Sequence, residues 1–160
     1  MNHPSIAKIN HSKEFQVNQN WIGEGHPTYF IADIAANHNG DLEKAKDLIR
    51  LANEAGSDAA KFQHFQADKI VSGKGFESIG IQESHQVKWK KSVYEVYQEA
   101  SVPKSWTEEL KNTCDEVGID FFTSSYDTES IEEVDDYVPA HKVGSGDITW
   151  LESIERMATK

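Results

Sequence analysis

The sequence predicts an α/β fold in which short parallel strands alternate with helices. Apolar runs of strand length are followed by segments with apolar residues at helical spacing, and glycines end two of these segments, at Gly56 and Gly118. After each glycine come one residue, an aspartate and a new apolar run. A strand, a helix and a second strand in about 30 residues form a right-handed parallel crossover. Periodicity alone leaves two architectures open, a small doubly wound sheet and the first half of a barrel.

The first part of the chain contains a terminus, a hairpin and one complete crossover. Residues 1–13 are polar without periodicity, so we expect disorder there, and residues 14–22 favour a short β-hairpin. The crossover consists of a strand over residues 29–32 that ends at Asp33, a helix from Asp41 to Gly56, and a strand over residues 59–62.

The second part repeats this alternation. Its predicted elements are a helix over residues 87–100, a helix with a capping box from Ser105 to Glu108 that ends at Gly118, a strand ending at Thr123, a short helix after Asp127, a strand over residues 140–143, and a last helix with a capping box from Thr149 to Glu152. The count is four strands, each followed by a helix. Residues 66–86 are long for a connection in such a domain and predict a lid over the strand ends.

Composition excludes several classes of partner. The chain of 160 residues carries 27 acidic against 16 basic residues, a net charge of -11, which argues against nucleic acid and anionic membranes as partners. The single cysteine, Cys114, forms no internal disulfide, and no signal peptide or bilayer-spanning apolar run is found. These features predict a cytoplasmic protein.

Polar side chains recur where the predicted strands end. Ligands bind at the carboxyl ends of parallel strands, so these residues indicate one binding face. Lys61 and Lys142 interrupt apolar runs, and a buried lysine is costly unless it is paired. Gly144 and Gly146 flank Ser145 and would let backbone amides approach an anion. The pattern therefore predicts a binding face, where local lysines could bind a small anion.

Four ordered motifs carry a resemblance to a known family. Residues 31–40, 61–65, 121–127 and 139–147 together resemble the N-terminal half of the sialic acid synthase (N-acetylneuraminate synthase) family, and the resemblance runs from about Phe15 to Lys160. It implies a (β/α)₈ TIM barrel, of which residues 14–160 would be a partial domain of about four βα units, truncated before strands 5–8. It also implies a transferase of carbohydrate biosynthesis. Such an enzyme condenses phosphoenolpyruvate with an N-acetylated hexosamine, N-acetylmannosamine-like, into a nine-carbon sialic-type sugar acid and releases phosphate.

The resemblance also implies roles for the polar residues. Lys61 and Lys142 match the phosphoenolpyruvate-binding lysines of the family. Ser124 and Ser145 match hydroxyl donors to phosphate. Gln63 lies two residues after Lys61, on the same face of an extended strand, and matches a glutamine that faces the sugar.

Two carboxylates depart from the family pattern. Asp33 stands where the family has a catalytic glutamate, and Asp147 replaces a glutamate that contacts substrate. Each side chain is one methylene shorter, which could mark an enzyme for a different acylated amino sugar, because small misplacements are costly in catalysis.

The resemblance implies a divalent metal, Mn²⁺ or Mg²⁺, with ligands in the later half of the barrel and not in this chain. Asn37, His38 and His64 lie near strand ends, where we expect hydrogen bonds to backbone or substrate rather than metal ligation. The full-length form would be a homo-oligomer, a dimer, and this chain alone is expected to be inactive. Two alternatives remain open: a Schiff-base aldolase-type lyase that uses Lys61 or Lys142, and a non-catalytic half-barrel that serves as a binding or interaction module.

Overall fold

The computed structural model describes residues 13–75 and 91–160 of the chain. The strands are β1 (Glu14–Val17), β2 (Asn20–Gly23), β3 (Ile31–Ala35), β4 (Ala59–His64) and β5 (Asp120–Ser125). The helices are α1 (Leu42–Glu54), α2 (Ala67–Ile70), α3 (Val93–Ala100), α4 (Thr107–Val117), α5 (Thr128–Val134) and α6 (Leu151–Ala158), with 3₁₀ turns at Lys104–Trp106 and Ser145–Asp147. Within these ranges, each helix is too short or too polar to traverse a bilayer.

Strands β3, β4 and β5 form a parallel sheet with β4 in the middle, and β1 and β2 form an antiparallel hairpin. The predicted hairpin and the predicted parallel α/β sheet are therefore confirmed. In the parallel sheet Asp33 is the partner of Lys61, and Gln63 is the partner of Ser124. The order of the three strands follows the chain.

The two faces of β4 are covered differently. Ala60 and Phe62 belong to the main core, which also contains Ile49 of α1, Leu110 of α4 and Phe121 of β5. Because side chains alternate along a strand, Lys61 and Gln63 lie on the opposite side, which we call the inner face. At the start of the strands, the hairpin covers the inner face through a second apolar cluster, made of Val17, Ala59 and Phe122.

The two aspartates that follow the helix-ending glycines have structural roles. The backbone N–H of Phe30 donates to Asp58 Oδ2 at 2.6 Å, which ties the start of β4 to β3. Asn18 Nδ2 donates to Asp120 Oδ1 at 2.8 Å, and the Tyr29 hydroxyl also donates to Asp120. The Asn18 bond fastens the hairpin to the start of β5, and the Tyr29 bond fastens the segment before β3 to the same point.

Most local helix signals are confirmed. Asp41 caps α1 by accepting from the N–H of Lys44 at 3.1 Å, and Asp127 caps α5 by accepting from the N–H of Ser130 at 2.8 Å. Gly118 ends α4 with φ of 82°, the left-handed conformation that favours glycine.

The predicted strand bounds are wrong in detail. β3 runs from Ile31 to Ala35 and not over residues 29–32, so Asp33 lies inside the strand. Phe30 is 61% exposed and Ile31 42% exposed, because β3 is at the sheet edge. β4 continues to His64, and β5 to Ser125. The strand predicted over residues 140–143 does not form; only one bridge pairs Lys142 with Ser124.

Both predicted capping boxes are also wrong. A 3₁₀ turn precedes α4, so its N-cap is Trp106, without a side-chain bond, and Ser105 lies inside the turn. The N-cap of α6 is Trp150, one residue after Thr149, because the N–H of Trp150 closes a turn onto the carbonyl of Asp147 at 2.8 Å.

Three predictions fall wholly or partly outside the described residues. They are the disorder of residues 1–12, the lid over residues 76–86, and the helix start over residues 87–90. Within the described part, α2 forms inside the predicted lid segment, and α3 begins at Val93 behind a capping box of Ser92 and Glu95.

His64 is a buried histidine at the end of β4, with 2% of its surface exposed. Its Nδ1 lies 2.8 Å from the hydroxyl of Thr123, and its Nε2 lies 3.1 Å from the hydroxyl of Thr107. Burial lowers the pKa of His64 to about 4; the carboxylate of Asp127 opposes this shift, and His38 adds to it. The folded protein therefore holds His64 neutral over most of the acidic range.

We predict that folding stability decreases as the pH falls from about 6.5 to about 4. In that window an unfolded chain protonates His64 and the folded chain does not, so the free energy of unfolding falls by on the order of 3 kcal/mol over the full window. Urea unfolding of wild type and of His64→Gln at pH 7, 5.5 and 4.5 checks this, since other titrating groups are common to both. The stability advantage of the wild type should shrink as the pH falls, and parallel curves would contradict the assignment.

Candidate functional site

The inner face carries a row of polar side chains from three neighbouring strands. The register pairs Asp33 of β3 with Lys61 of β4, and Gln63 of β4 with Ser124 of β5. The sequence predicted Asp33 and Ser124 just beyond the ends of their strands, whereas the structure places all four residues within strands. Because the side-chain period of a strand is two, they project from one face of the sheet rather than from its rim.

Asp33 and Lys61 form an ion pair. Lys61 Nζ donates to Asp33 Oδ1 at 2.6 Å. The lysine side chain is only 12% exposed, whereas that of Asp33 is 60% exposed. A lysine this deeply buried needs a partner, and the carboxylate supplies one. The pair is thus a charged group reachable from the inner face.

Ser124 is almost completely buried, with 1% of its surface exposed. Its hydroxyl oxygen has no hydrogen-bond partner among residues 13–75 and 91–160. Leaving a buried hydroxyl unsatisfied costs roughly 1–3 kcal/mol, so such groups are rare and call for an explanation. Ser124 is the register partner of Gln63, which lies two residues after Lys61 on the same face of β4.

Tyr126 is a residue of this face that the sequence analysis missed. The amide Nε2 of Gln63 donates to the Tyr126 hydroxyl at 3.4 Å, a long bond. The ring packs against Phe65 with centroids 6.2 Å apart. A Cβ at Gly144 would come within 2.9 Å of the Tyr126 ring, so only glycine fits there. The available signal was its position two residues after Ser124, which places both on one face.

The later segment supplies the remaining predicted residues. The backbone of Lys142 pairs with Ser124, and Ser145 and Asp147 lie in the 3₁₀ turn that follows. A Cβ added at Gly144 would lie 2.6 Å from a carboxylate oxygen of Asp147, so Asp147 is close to this glycine. In the described part of the chain, no hydrogen bond joins Ser145 or Asp147 to the four strand residues. The structure therefore brings together Asp33, Lys61, Gln63 and Ser124, with the Lys142 backbone alongside.

The polar residues of the first strand-helix loop bond to backbone. Asn37 Nδ2 donates to the carbonyl of Ile34 at 2.9 Å, and the N–H of Gly40 donates to His38 Nδ1 at 3.1 Å. His38 is fully buried, and its ring lies 5.5 Å from that of Trp106. Burial lowers the pKa of His38, and Lys44 acts in the same direction. Both residues have the backbone bonding that the sequence predicted for this loop.

The metal implied by the family resemblance finds no fitting set of donors here. Among the described residues, no group of three or more histidine, cysteine or acidic side chains could hold an ion. Both ring nitrogens of His64 are already within hydrogen-bond distance of threonine hydroxyls. We therefore assign no metal-dependent step to these residues.

Comparison with known proteins identifies the family. The NeuB family matches residues 48–160. The human N-acetylneuraminate-9-phosphate synthase is 36% identical over 141 residues, which cover 88% of this chain and 38% of that protein. The N,N'-diacetyllegionaminic acid synthase of Legionella pneumophila is 32% identical over 139 residues, covering 86% of this chain and 38% of that protein.

A solved structure supports the same assignment. The N-acetylneuraminic acid synthetase of Leptospira borgpetersenii, crystallised with citrate, superposes with a TM-score of 0.74 at 26% identity. The match covers 92% of this chain and 47% of that one. The chain thus spans less than two fifths of the length of these curated relatives and about half of this structure. Sequence and fold agree, and the chain belongs to the NeuB family of sialic acid synthase homologues.

Proposed function

We propose that this chain provides the phosphoenolpyruvate-binding face of an enzyme that makes a nine-carbon sialic-type sugar acid. In this reaction the enol carbon of phosphoenolpyruvate bonds to the aldehyde carbon of an N-acetylated hexosamine, N-acetylmannosamine-like. Water adds to the cation left on the phosphate-bearing carbon, and phosphate leaves. The carrying observation is the buried hydroxyl of Ser124, which has no partner among the described residues and shares a face with Gln63 and the Lys61–Asp33 pair. The names of the human and Legionella relatives support this class of product.

The proposal extends to architecture and assembly. Residues 14–160 would be the N-terminal half of a (β/α)₈ barrel domain, in which β3, β4 and β5 are the first three barrel strands and the hairpin covers their starting ends. A dimeric state and a cytoplasmic location stay predictions from the sequence.

Phosphoenolpyruvate is an anion, and the chain is strongly acidic, so binding needs fixed local cations. Lys61 and Lys142 are proposed to supply them. The hydroxyls of Ser124 and Ser145 would donate to phosphate or carboxylate oxygens, and Gly144 and Gly146 would leave the adjacent amides accessible. In this arrangement the Ser124 hydroxyl would gain the partner that it lacks among the described residues.

The Lys61–Asp33 pair can serve anion binding and proton management together. An ammonium group has three donors, so Lys61 can hold Asp33 and a substrate oxygen at the same time. As the enol carbon bonds to the sugar aldehyde carbon, the aldehyde oxygen gains negative charge and needs a proton or a donor. Asp33 lies 2.6 Å from the lysine that would bind the other substrate, so it is proposed to orient the reacting groups or move that proton.

The sugar is proposed to bind beside the same pair. Gln63 would use its amide toward the sugar, with Tyr126 holding that amide at 3.4 Å. Asp147 would contact substrate from the 3₁₀ turn next to Gly144. The shorter carboxylates of Asp33 and Asp147 leave the identity of the acylated sugar as a separate question of specificity.

We predict that Lys61→Met weakens phosphoenolpyruvate binding at least about tenfold, because a charge-assisted hydrogen bond contributes roughly 1.5–3 kcal/mol. Titration calorimetry measures this, with circular dichroism to verify folding. Lys46→Met is the matched control. Lys46 donates to Glu109 at 2.7 Å and its side chain is 16% exposed, close to the values for Lys61, but it lies on α1 in the helix layer.

Lys46→Met should bind phosphoenolpyruvate like the wild type. The proposed function is contradicted if the folded wild type shows no binding at millimolar phosphoenolpyruvate, or if Lys61→Met binds as tightly as the wild type.

We also predict that this chain alone gives no turnover with phosphoenolpyruvate, N-acetylmannosamine and manganese. Among the described residues, no cluster of side chains could bind a metal. The match to the human relative covers only 38% of that protein. A phosphate-release assay checks this, with a heat-denatured sample as the background. Release above that background would show that the chain is sufficient for catalysis.

A further inference from the structure

We propose that His64 is a positioning residue for the inner face. Its buried hydrogen-bond chain, which joins Thr123, His64, Thr107 and Glu133, fixes the ends of β4 and β5 so that Gln63 and Ser124 lie side by side. The inference rests on the proposed function in that these two side chains are taken to contact substrate.

The chain of hydrogen bonds joins four different elements. His64 of β4 lies 2.8 Å from the hydroxyl of Thr123 of β5 and 3.1 Å from that of Thr107, the first residue of α4. The Thr107 hydroxyl donates to Glu133 Oε1 of α5 at 2.7 Å. His64, Thr107 and Thr123 are each 2% exposed. Two strands and two helices are therefore tied together at the carboxyl end of the sheet.

The directions of these bonds follow from the donors available. A carboxylate only accepts hydrogen bonds, so the Thr107 hydroxyl donates its single hydrogen to Glu133. Its oxygen must then accept a hydrogen bond from His64. His64 therefore carries its proton on Nε2, and its Nδ1 accepts from the Thr123 hydroxyl. The Thr123 hydroxyl also lies 3.5 Å from the carbonyl of Ser124, a longer contact than its 2.8 Å to His64 Nδ1. The neutral ring that burial enforces is the form that this chain of hydrogen bonds requires. The geometry thus selects one tautomer and one ring orientation.

Backbone hydrogen bonds connect His64 and its neighbours to the residues of the inner face. The carbonyl of His64 accepts from the N–H of Tyr126 at 3.0 Å, and the N–H of Gln66 donates to Asp127 Oδ2 at 3.0 Å. Gln63 precedes His64 directly and points to the opposite face. A rotation of the peptide at His64 would therefore move the Gln63 amide away from both Ser124 and Tyr126.

An apolar residue would fill the same volume without fixing an angle. Phe62 and Phe121 already pack this layer, with ring centroids 5.9 Å apart, and the His64 ring meets Phe121 edge to face at 6.1 Å. Hydrophobic contact is non-directional, whereas hydrogen bonds prescribe orientation. The polar chain thus adds orientation at the one end of β4 where two proposed substrate contacts meet.

Thr107→Val, compared with Thr113→Val, tests the proposal. Both threonines are buried in α4, but the hydroxyl of Thr113 donates to the carbonyl of Glu109 in its own helix at 2.9 Å. The two variants therefore lose one hydroxyl each from the same helix. Thr107→Ser retains the hydroxyl and serves as the rescue variant. If Thr107→Val fails to fold, Thr123→Val interrupts the same chain of hydrogen bonds at its other end.

Two readouts are needed on the 160-residue chain. The first is the ¹H–¹⁵N spectrum of the Gln63 side-chain amide and of the His64 ring, without ligand. The second is the dissociation constant for phosphoenolpyruvate. We expect Thr107→Val to shift the Gln63 amide signals and weaken binding about fivefold or more, of the order of one hydrogen bond. Thr113→Val should leave both unchanged, and Thr107→Ser should return both to within about twofold of the wild type.

The outcomes separate this inference from the proposed function. If Thr107→Val and Thr113→Val affect the Gln63 amide and the dissociation constant equally, His64 is only a core residue and the inference is overturned. A His64 ring protonated on Nδ1 rather than Nε2 overturns it as well. If the wild type does not bind phosphoenolpyruvate, the proposed function fails, and the Gln63 signals still decide whether the chain of hydrogen bonds positions the inner face.

Discussion

The alternation of side chains along β4 governs both the core and the candidate site. β4 has a neighbour on each edge and is covered on one face by α1 and α4. A slip of one residue would exchange its faces and put Lys61 and Gln63 into the apolar core in place of Phe62 and His64. The free energy of burying Phe62 therefore also fixes the register of the polar residues. The packing of the core and the geometry of the candidate site therefore depend on the same register of β4.

Electrostatics separates the inner face from the rest of the surface. The Lys111–Asp115 pair on α4, like most exposed pairs, is expected to contribute little to stability. The Lys61–Asp33 pair differs because its lysine is only 12% exposed, so the carboxylate compensates a real desolvation cost. Since Asp33 and Lys61 are direct partners in the register, the long lysine stem reaches even a short carboxylate. The aspartate at this position is therefore compatible with the ion pair.

The sequence predicted correctly those helix starts and ends that depend on a few adjacent residues. The helix starts at Asp41 and after Asp127 and the stop at Gly118 follow from a few adjacent residues, and they are confirmed. The boxes at Ser105 and Thr149 failed because neighbouring turns moved the helix starts, which no local pattern records. Pairing at Lys142 depends on β5 across a long separation, so a strand pattern over residues 140–143 overstated it. The face of the site was predictable from period two. The positions of Asp33 and Ser124 inside their strands, and the contact of Gln63 with Tyr126 just after β5, were not predicted.

Two buried polar atoms lack partners in the part of the chain that the structure describes, and they differ in kind. His38 Nε2 belongs to a ring whose other nitrogen accepts from Gly40, and the ring also contacts Trp106. Its environment is the apolar helix layer, so the cost is partly offset by packing. Ser124 has neither compensation, and it lies beside Gln63 and near a buried cation. A hydroxyl can rotate its proton toward any acceptor that arrives, so an anion that reaches Lys61 can also recover the hydrogen bond that Ser124 lacks. Under the proposed function, this added gain favours anion binding at the inner face over the helix layer.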